Sequence, residues 1–158
     1  MKTWDFEATS VDETARFGTA IADSIRGGDV IGLRGDLGAG KTTLVSSVAV
    51  ALGVQRHEIS SPTFVLLKEY AGRIPIYHFD AYRLGDPDEF TALGADELLA
   101  DEGLCLIEWV DRVASLLPAD RLTIDAITTG VDSRRFRLQS GGTRSTELLT
   151  SIAIHCKD

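Results

Sequence analysis

Residues 35–42 read GDLGAGKT, and nothing else in the chain constrains the fold as tightly. They satisfy the pattern G-x-x-x-x-G-K-[ST] in full. A short apolar run, DVIGLRG, leads into them. A helix-forming stretch follows, with an apolar stripe at Leu44, Val45, Val48 and Leu52 closed by Gly53. Gly35 turns sharply off the strand, while Gly38 and Gly40 admit backbone conformations and close approaches that a Cβ hinders. Consecutive amides then face one concavity at a helix N-terminus, an arrangement that holds a phosphate group. Lys41 is expected to reach the β and γ phosphates, and the Thr42 hydroxyl to coordinate magnesium. The expected site comprises Gly35, Asp36, Leu37, Gly38, Ala39, Gly40, Lys41 and Thr42. Its expected ligand is a nucleoside triphosphate with Mg2+.

The surrounding pattern places this loop in an α/β fold. Residues 11–26 predict a helix: Val11, Ala15, Gly18, Ala22 and Ile25 recur at helical spacing, acids occupy the first turn, and Gly27-Gly28 ends it. TFVLLKEYAGRIPIYHFD reads as two strands joined through Ala71-Gly72-Arg73, with Pro75 at an edge or a strand start. DPDEFTALGADELLA offers short helical turns, and GLCLIEW is a continuous apolar strand ending in an acid. RLTIDAITT and SRRFRLQ alternate like late strands, and TRSTELLTSIAIH predicts a final helix. The expected architecture is a P-loop NTPase-type three-layer sandwich. Its central sheet is mainly parallel, flanked by helices, with antiparallel additions. At 158 residues, with no repeat or low-complexity linker, the chain 1–158 reads as a single domain.

Magnesium on a triphosphate calls for a carboxylate near Thr42, at the end of a hydrophobic strand beside the loop. LCLIEW supplies Glu108, either as that acid or as a solvated strand end. Asp80 closes IYHFD, where it serves the attacking water or metal shell, or else caps the following turn. His78 alternates with Tyr77 and Phe79 and reads as a packed strand residue rather than a catalytic base. SSPTF places Thr63 after a stiffening proline, as a γ-phosphate-sensing switch or a plain strand-entry turn. No N-K-x-D stretch occurs, so guanine selection is unsupported. No arginine is obviously placed to neutralise a transition state in cis; Arg83 is the nearest candidate. An NTPase lacking that charge is slow until a partner completes the site.

Bulk properties narrow the partners. With 16 basic and 24 acidic residues the net charge is −8, which disfavours broad binding to DNA, RNA or anionic membranes. The N-terminus lacks an apolar core of leader length, and no segment approaches a membrane span. Cys105 and Cys156 form no C-x-x-C pair, and Cys105 lies in an apolar run, so a buried reduced thiol and a reducing cytoplasm are expected.

Taken in order and spacing, LRGDLGAGKTT, SSPTF, YHFDAYRL and LCLIEW resemble the TsaE (formerly YjeE) family, over residues from about 10 to about 125. These are bacterial P-loop ATPases needed for threonylcarbamoylation of adenosine 37 in tRNAs reading codons that begin with A. The resemblance implies ATP or ADP on Gly35–Thr43, with Lys41 the essential lysine and Thr42 the metal-binding hydroxyl. It implies a switch-like segment at Thr63, an activity-bearing acid at Asp80 and a magnesium-associated acid at Glu108. Trp109 matches a residue near the nucleotide. The implied partners are a TsaB–TsaD pair, and tRNA is reached only through that pair. Two positions depart from the family: Val110 stands where proline is frequent, and Ala81 where a larger residue is frequent.

Two other functions share the loop. A small-molecule kinase would need an acceptor pocket and an arginine-bearing lid, for which only SRRFRLQ offers basic residues. A nucleotide-gated binding module would hydrolyse ATP incidentally. Direct tRNA contact is disfavoured by charge, although Arg134, Arg135 and Arg137 leave room for a weak one.

Overall fold

A computed structural model describes residues 1–36, 38–59, 66–82 and 84–157. In chain order the elements are β1 (Thr3–Ala8), α1 (Val11–Ser24), β2 (Val30–Arg34), α2 (Lys41–Ala51), β3 (Leu67–Ala71), β4 (Pro75–Asp80), α3 (Pro87–Ala92), α4 (Ala95–Leu99), β5 (Leu104–Glu108), β6 (Leu122–Thr128), β7 (Arg134–Ser140) and α5 (Thr143–His155). Single 3-10 turns follow β5 at Val110–Arg112 and Ala114–Leu116. Among these residues one seven-stranded sheet runs β1-β7-β6-β2-β5-β4-β3. The four central strands β6, β2, β5 and β4 are mutually parallel, and β1, β7 and β3 join antiparallel.

Local chemistry explains the boundaries. The Ser10 hydroxyl accepts from the Glu13 amide at 3.1 Å, and the Glu13 carboxylate accepts from the Thr9 amide at 2.8 Å, so α1 starts with satisfied donors. It stops at Ser24, two residues before the expected end, with Ile25 already extended. Pro75 opens β4, a strand paired on both sides, so it marks a strand start and β3 forms the edge. No element was expected in TWDFEA, yet it forms β1. Its alternation of Trp4, Phe6 and Ala8 with Asp5 and Glu7 has the period of a half-buried strand. Phe6 stacks on Phe17 of α1 with centroids 4.9 Å apart, and Phe17 stacks on Phe136 of β7 at 5.0 Å.

The sheet divides two cores. Leu104 and Leu106 of β5 face a cluster with Phe17 and Ile21 of α1, Leu44 and Val48 of α2, and Leu148 and Ile152 of α5. Cys105 and Ile107 face the opposite cluster, with Phe79, Phe90 of α3, Ala95 of α4, Val110 and Val113. Burial on both faces is why GLCLIEW is continuously apolar. Cys105 and Cys156 are both free, and burial pushes the Cys105 thiol up to about 12, out of reach of thiolate chemistry at neutral pH.

The second layer covers only part of its face. Over β1 and β7 the uncovered side chains include two charged pairs: Arg137 to Asp5 at 3.0 Å, and Arg135 to Glu7. Nearby, Arg34 at the end of β2 grips Asp125 of β6 with two hydrogen bonds of 2.5 and 3.0 Å. Two of the three arginines that leave room for a weak tRNA contact are therefore paired with cross-strand carboxylates. No helix among the described residues is long and apolar enough to cross a membrane.

Candidate functional site

The site lies at the carboxyl ends of β2, β4 and β5, where open α/β sheets bind ligands. Register puts Leu33 of β2 beside Glu108 of β5, and Asp80 of β4 on the other side of Glu108. One crossing of the sheet thus aligns the loop after β2 with both predicted acids.

The loop has the backbone its glycines allow. Gly35 has φ +142 and lies where a Cβ would stand 2.5 Å from the Ala126 carbonyl oxygen. Gly40, at φ +97, caps α2 in the left-handed region and delivers the chain into the helix at Lys41. Gly38 also has positive φ, at +82, and Ala39 is buried. Thr42 and Thr43 stand exposed in the first turn of α2.

Lys41 is 5% exposed. Its ammonium donates to the carbonyls of Gly35 and Asp36, the latter at 3.1 Å, and lies 4.1 Å from the centre of the Trp109 ring. Burial pulls its pKa below the ordinary lysine value, against the opposing charges of Glu108, Asp80 and Asp36. This is a compact cation held over the loop by carbonyl dipoles and an indole face, with carboxylates close by.

Glu108 is 4% exposed and has a partner for each oxygen. Oε2 lies 2.6 Å from His78 Nε2, and Oε1 lies 3.4 Å from the Thr42 hydroxyl, which donates to it. An ionised Glu108 only accepts, so the His78 proton belongs on Nε2. His78 Nδ1 is buried with no hydrogen-bond partner among the described residues. His78 is packed as expected, at 1% exposure. Its second contact, with the predicted metal acid, is one that the strand pattern does not foresee. The signal would have been its place two residues before Asp80, which shares a register with Glu108.

Asp80 is buried and its Oδ1 accepts from the Tyr82 amide at 2.8 Å, which is the turn-capping geometry. Its charge also acts on the Lys41 ammonium, opposing the effect of burial. The capped turn carries Tyr82, whose ring lies 4.8 Å from that of Trp109 at 40°. Trp109 itself sits at φ +59, ψ 45, a conformation that costs a non-glycine residue roughly 1–2 kcal/mol and is found at functional sites. It turns the chain immediately after Glu108 and lays the indole beneath Lys41. Ala81 is fully buried and Val110 is 2% exposed, so both departures from the family pattern fall in packing.

Leu37, Arg83 and the SSPTF segment containing Thr63 lie outside the described residues. Of the expected residues that are described, Gly35, Asp36, Gly38, Ala39, Gly40, Lys41, Thr42, Thr43, Asp80, Glu108 and Trp109 converge on one end of the sheet. No group of three or more His, Cys, Asp or Glu side chains that could hold a metal occurs among the described residues. A cation there would take oxygen from Thr42 and Glu108 and the rest of its shell from phosphate and water, the habit of Mg2+.

Comparison with known proteins agrees on one family. The family model described as threonylcarbamoyl adenosine biosynthesis protein TsaE matches residues 8–136. A protein of Treponema pallidum named tRNA threonylcarbamoyladenosine biosynthesis protein TsaE is 47% identical over 115 residues, which are 73% of this chain and 84% of that one. A Bacillus subtilis protein of the same name is 38% identical over 156 residues, covering 98% of this chain and 97% of that one. The crystal structure of Bacillus subtilis YdiB superposes with a TM-score of 0.82 at 34% identity, over 98% of this chain and 96% of that one.

Proposed function

The chain belongs to the TsaE family, and on that premise we propose that it is an ATPase serving threonylcarbamoylation of adenosine 37 in tRNA. It binds ATP and Mg2+ at Gly35–Thr43 and hydrolyses the nucleotide in complex with a TsaB–TsaD-like pair, meeting tRNA through that pair in the cytoplasm. The observation that supports this best is the facing of Thr42 and Glu108 at 3.4 Å, with Lys41 over the same loop.

The residues divide the work as follows. Amides from Gly38 to Thr43 bind and orient the phosphates, and Lys41 exchanges its carbonyl partners for the β and γ phosphates. Thr42 and Glu108 would hold magnesium, which supplies positive charge to the phosphate oxygens. His78 holds one oxygen of Glu108 and leaves the other facing Thr42. Asp80 holds the Tyr82 turn against Trp109, so that contacts made at the loop are passed to the surface beyond β4. With Thr63 following the γ-phosphate, nucleotide state would bias docking with the partner pair, and the pair must change nucleotide affinity by the same factor.

The test is ATP turnover by the chain alone, with a TsaB–TsaD-like pair, and with Lys41→Ala in both settings. Turnover is expected to rise with the pair and to vanish in Lys41→Ala. Equal rates with and without the pair would overturn partner activation, and turnover retained in Lys41→Ala would overturn the site.

A further inference from the structure

Alternation along β7 separates its three arginines. Arg135 and Arg137 point to the open face and pair with β1. Arg134 shares the parity of Phe136 and Leu138, both fully buried beneath α1 and α5. As the first residue of the strand it emerges beyond that core, over the phosphate loop.

There one guanidinium spans two segments. Nη2 donates to the Gly38 carbonyl at 3.2 Å. Nη1 donates to the Ser133 carbonyl at 2.8 Å and is shared with Gly130 at 3.2 Å and Val131 at 3.3 Å, the turn joining β6 to β7. The stem lies across Gly40, with Nε, Cγ and Cδ at 3.4–3.7 Å from where a Cβ would stand. Nε is buried and has no hydrogen-bond partner among the described residues, while the residue as a whole is half-buried. A cleft of about 60 Å³ adjoins it, lined by Val11, Thr14, Gly40, Thr43, Asp132 and Arg134.

We propose that Arg134 is a positioning residue for the phosphate loop, tying it to the β6–β7 turn and holding the Gly38 carbonyl outward so that the loop amides converge. This rests on the reading of Gly35–Thr43 as a triphosphate site. The physical reason lies in the loop itself: glycines at positive φ gain much freedom when released, and ordering them on binding costs affinity. A planar fork bonded at both ends carries that ordering in advance. A lysine ammonium, with one compact head, cannot span the same two segments.

The test measures hydrogen exchange of the loop amides without nucleotide, together with ADP affinity and ATP kinetics, in Arg134→Ala, Arg134→Lys and Arg135→Ala. Both Arg134 variants are expected to exchange faster at Gly38–Thr43 and to bind ADP about tenfold more weakly, the size of one lost charge-assisted bond. KM for ATP rises while kcat at saturation holds, because bound nucleotide can itself order the loop. Arg135→Ala, one residue away on the other face, leaves all three unchanged. Arg134→Lys keeps the stem over Gly40 and carries the same expectation should Arg134→Ala not fold. Wild-type exchange and affinity in the Arg134 variants would overturn the inference. Failure of the unaltered chain to bind ADP would instead overturn the reading of the site, while the exchange result still decides the role of Arg134.

Discussion

At the scale of single residues, the pair formed by His78 and Glu108 decides how the acid is presented. A carboxylate that is 4% exposed needs donors, and His78 supplies one at 2.6 Å while the other oxygen is left to Thr42. Replacing His78 by leucine keeps the volume roughly constant but leaves Glu108 without that donor, at a cost of about 1–3 kcal/mol. Glutamine can place an amide nitrogen near the position of Nε2 and restore the bond. We therefore expect His78→Leu to lower stability to urea and to raise the Mg2+ concentration needed for half-maximal ATP turnover. His78→Gln should recover most of both. An unchanged Mg2+ midpoint in His78→Leu would remove His78 from the site. The sequence made Glu108 legible because a strand-end acid is a local pattern. It could not make the pair legible, because contact between residues 78 and 108 depends on β4 lying beside β5.

At the scale of elements, the prediction concerns how β5 delivers Glu108 and Trp109. Gly32 in β2 leaves a notch that the buried Val110 fills, and a Cβ on Gly32 would stand 2.5 Å from Val110 Cγ2. Gly32→Ala overpacks this contact and should cost about 1–3 kcal/mol. The strain falls on the residue next to Trp109, so ATP turnover should drop alongside the urea midpoint. Combining it with Val110→Ala makes room for the new methyl and should recover part of the midpoint. An unchanged midpoint in Gly32→Ala would show that the 3-10 turn shifts freely and does not fix the acid. The helix and strand periods of α1, α2, β5, β6 and β7 were legible because each buries one stripe or one pair of faces. β1 is not legible in the same way, although TWDFEA alternates, since six residues acquire a strand's stability only from β7 and from the Phe6–Phe17–Phe136 stack. The gap between α1 as expected and as formed is two residues, where Ile25 leaves the helix before the glycines.

At the scale of the whole molecule, charge and topology bear on whether the chain reads tRNA by itself. The sequence shows Arg134, Arg135 and Arg137 as a basic cluster within a chain of net charge −8. Strand order, which no local pattern encodes, brings β1 beside β7 and sets Asp5 and Glu7 opposite two of those arginines. Alternation turns the third toward the phosphate loop. What looked like one patch is thus two neutral cross-strand pairs and a loop fastener, and it offers phosphate groups little that is not already bonded. Electrostatic attraction to a polyanion needs unneutralised cations that can release counterions. We expect the chain alone not to retard tRNA at physiological salt, and double replacement of Asp5 and Glu7 by their amides, which frees Arg135 and Arg137, to produce weak binding that disappears as salt rises. Salt-sensitive binding by the unaltered chain, lost in the Arg135→Ala and Arg137→Ala pair, would place a tRNA contact on this face. It would also mean that the open side of the sheet, and not only the proposed partner pair, can meet RNA.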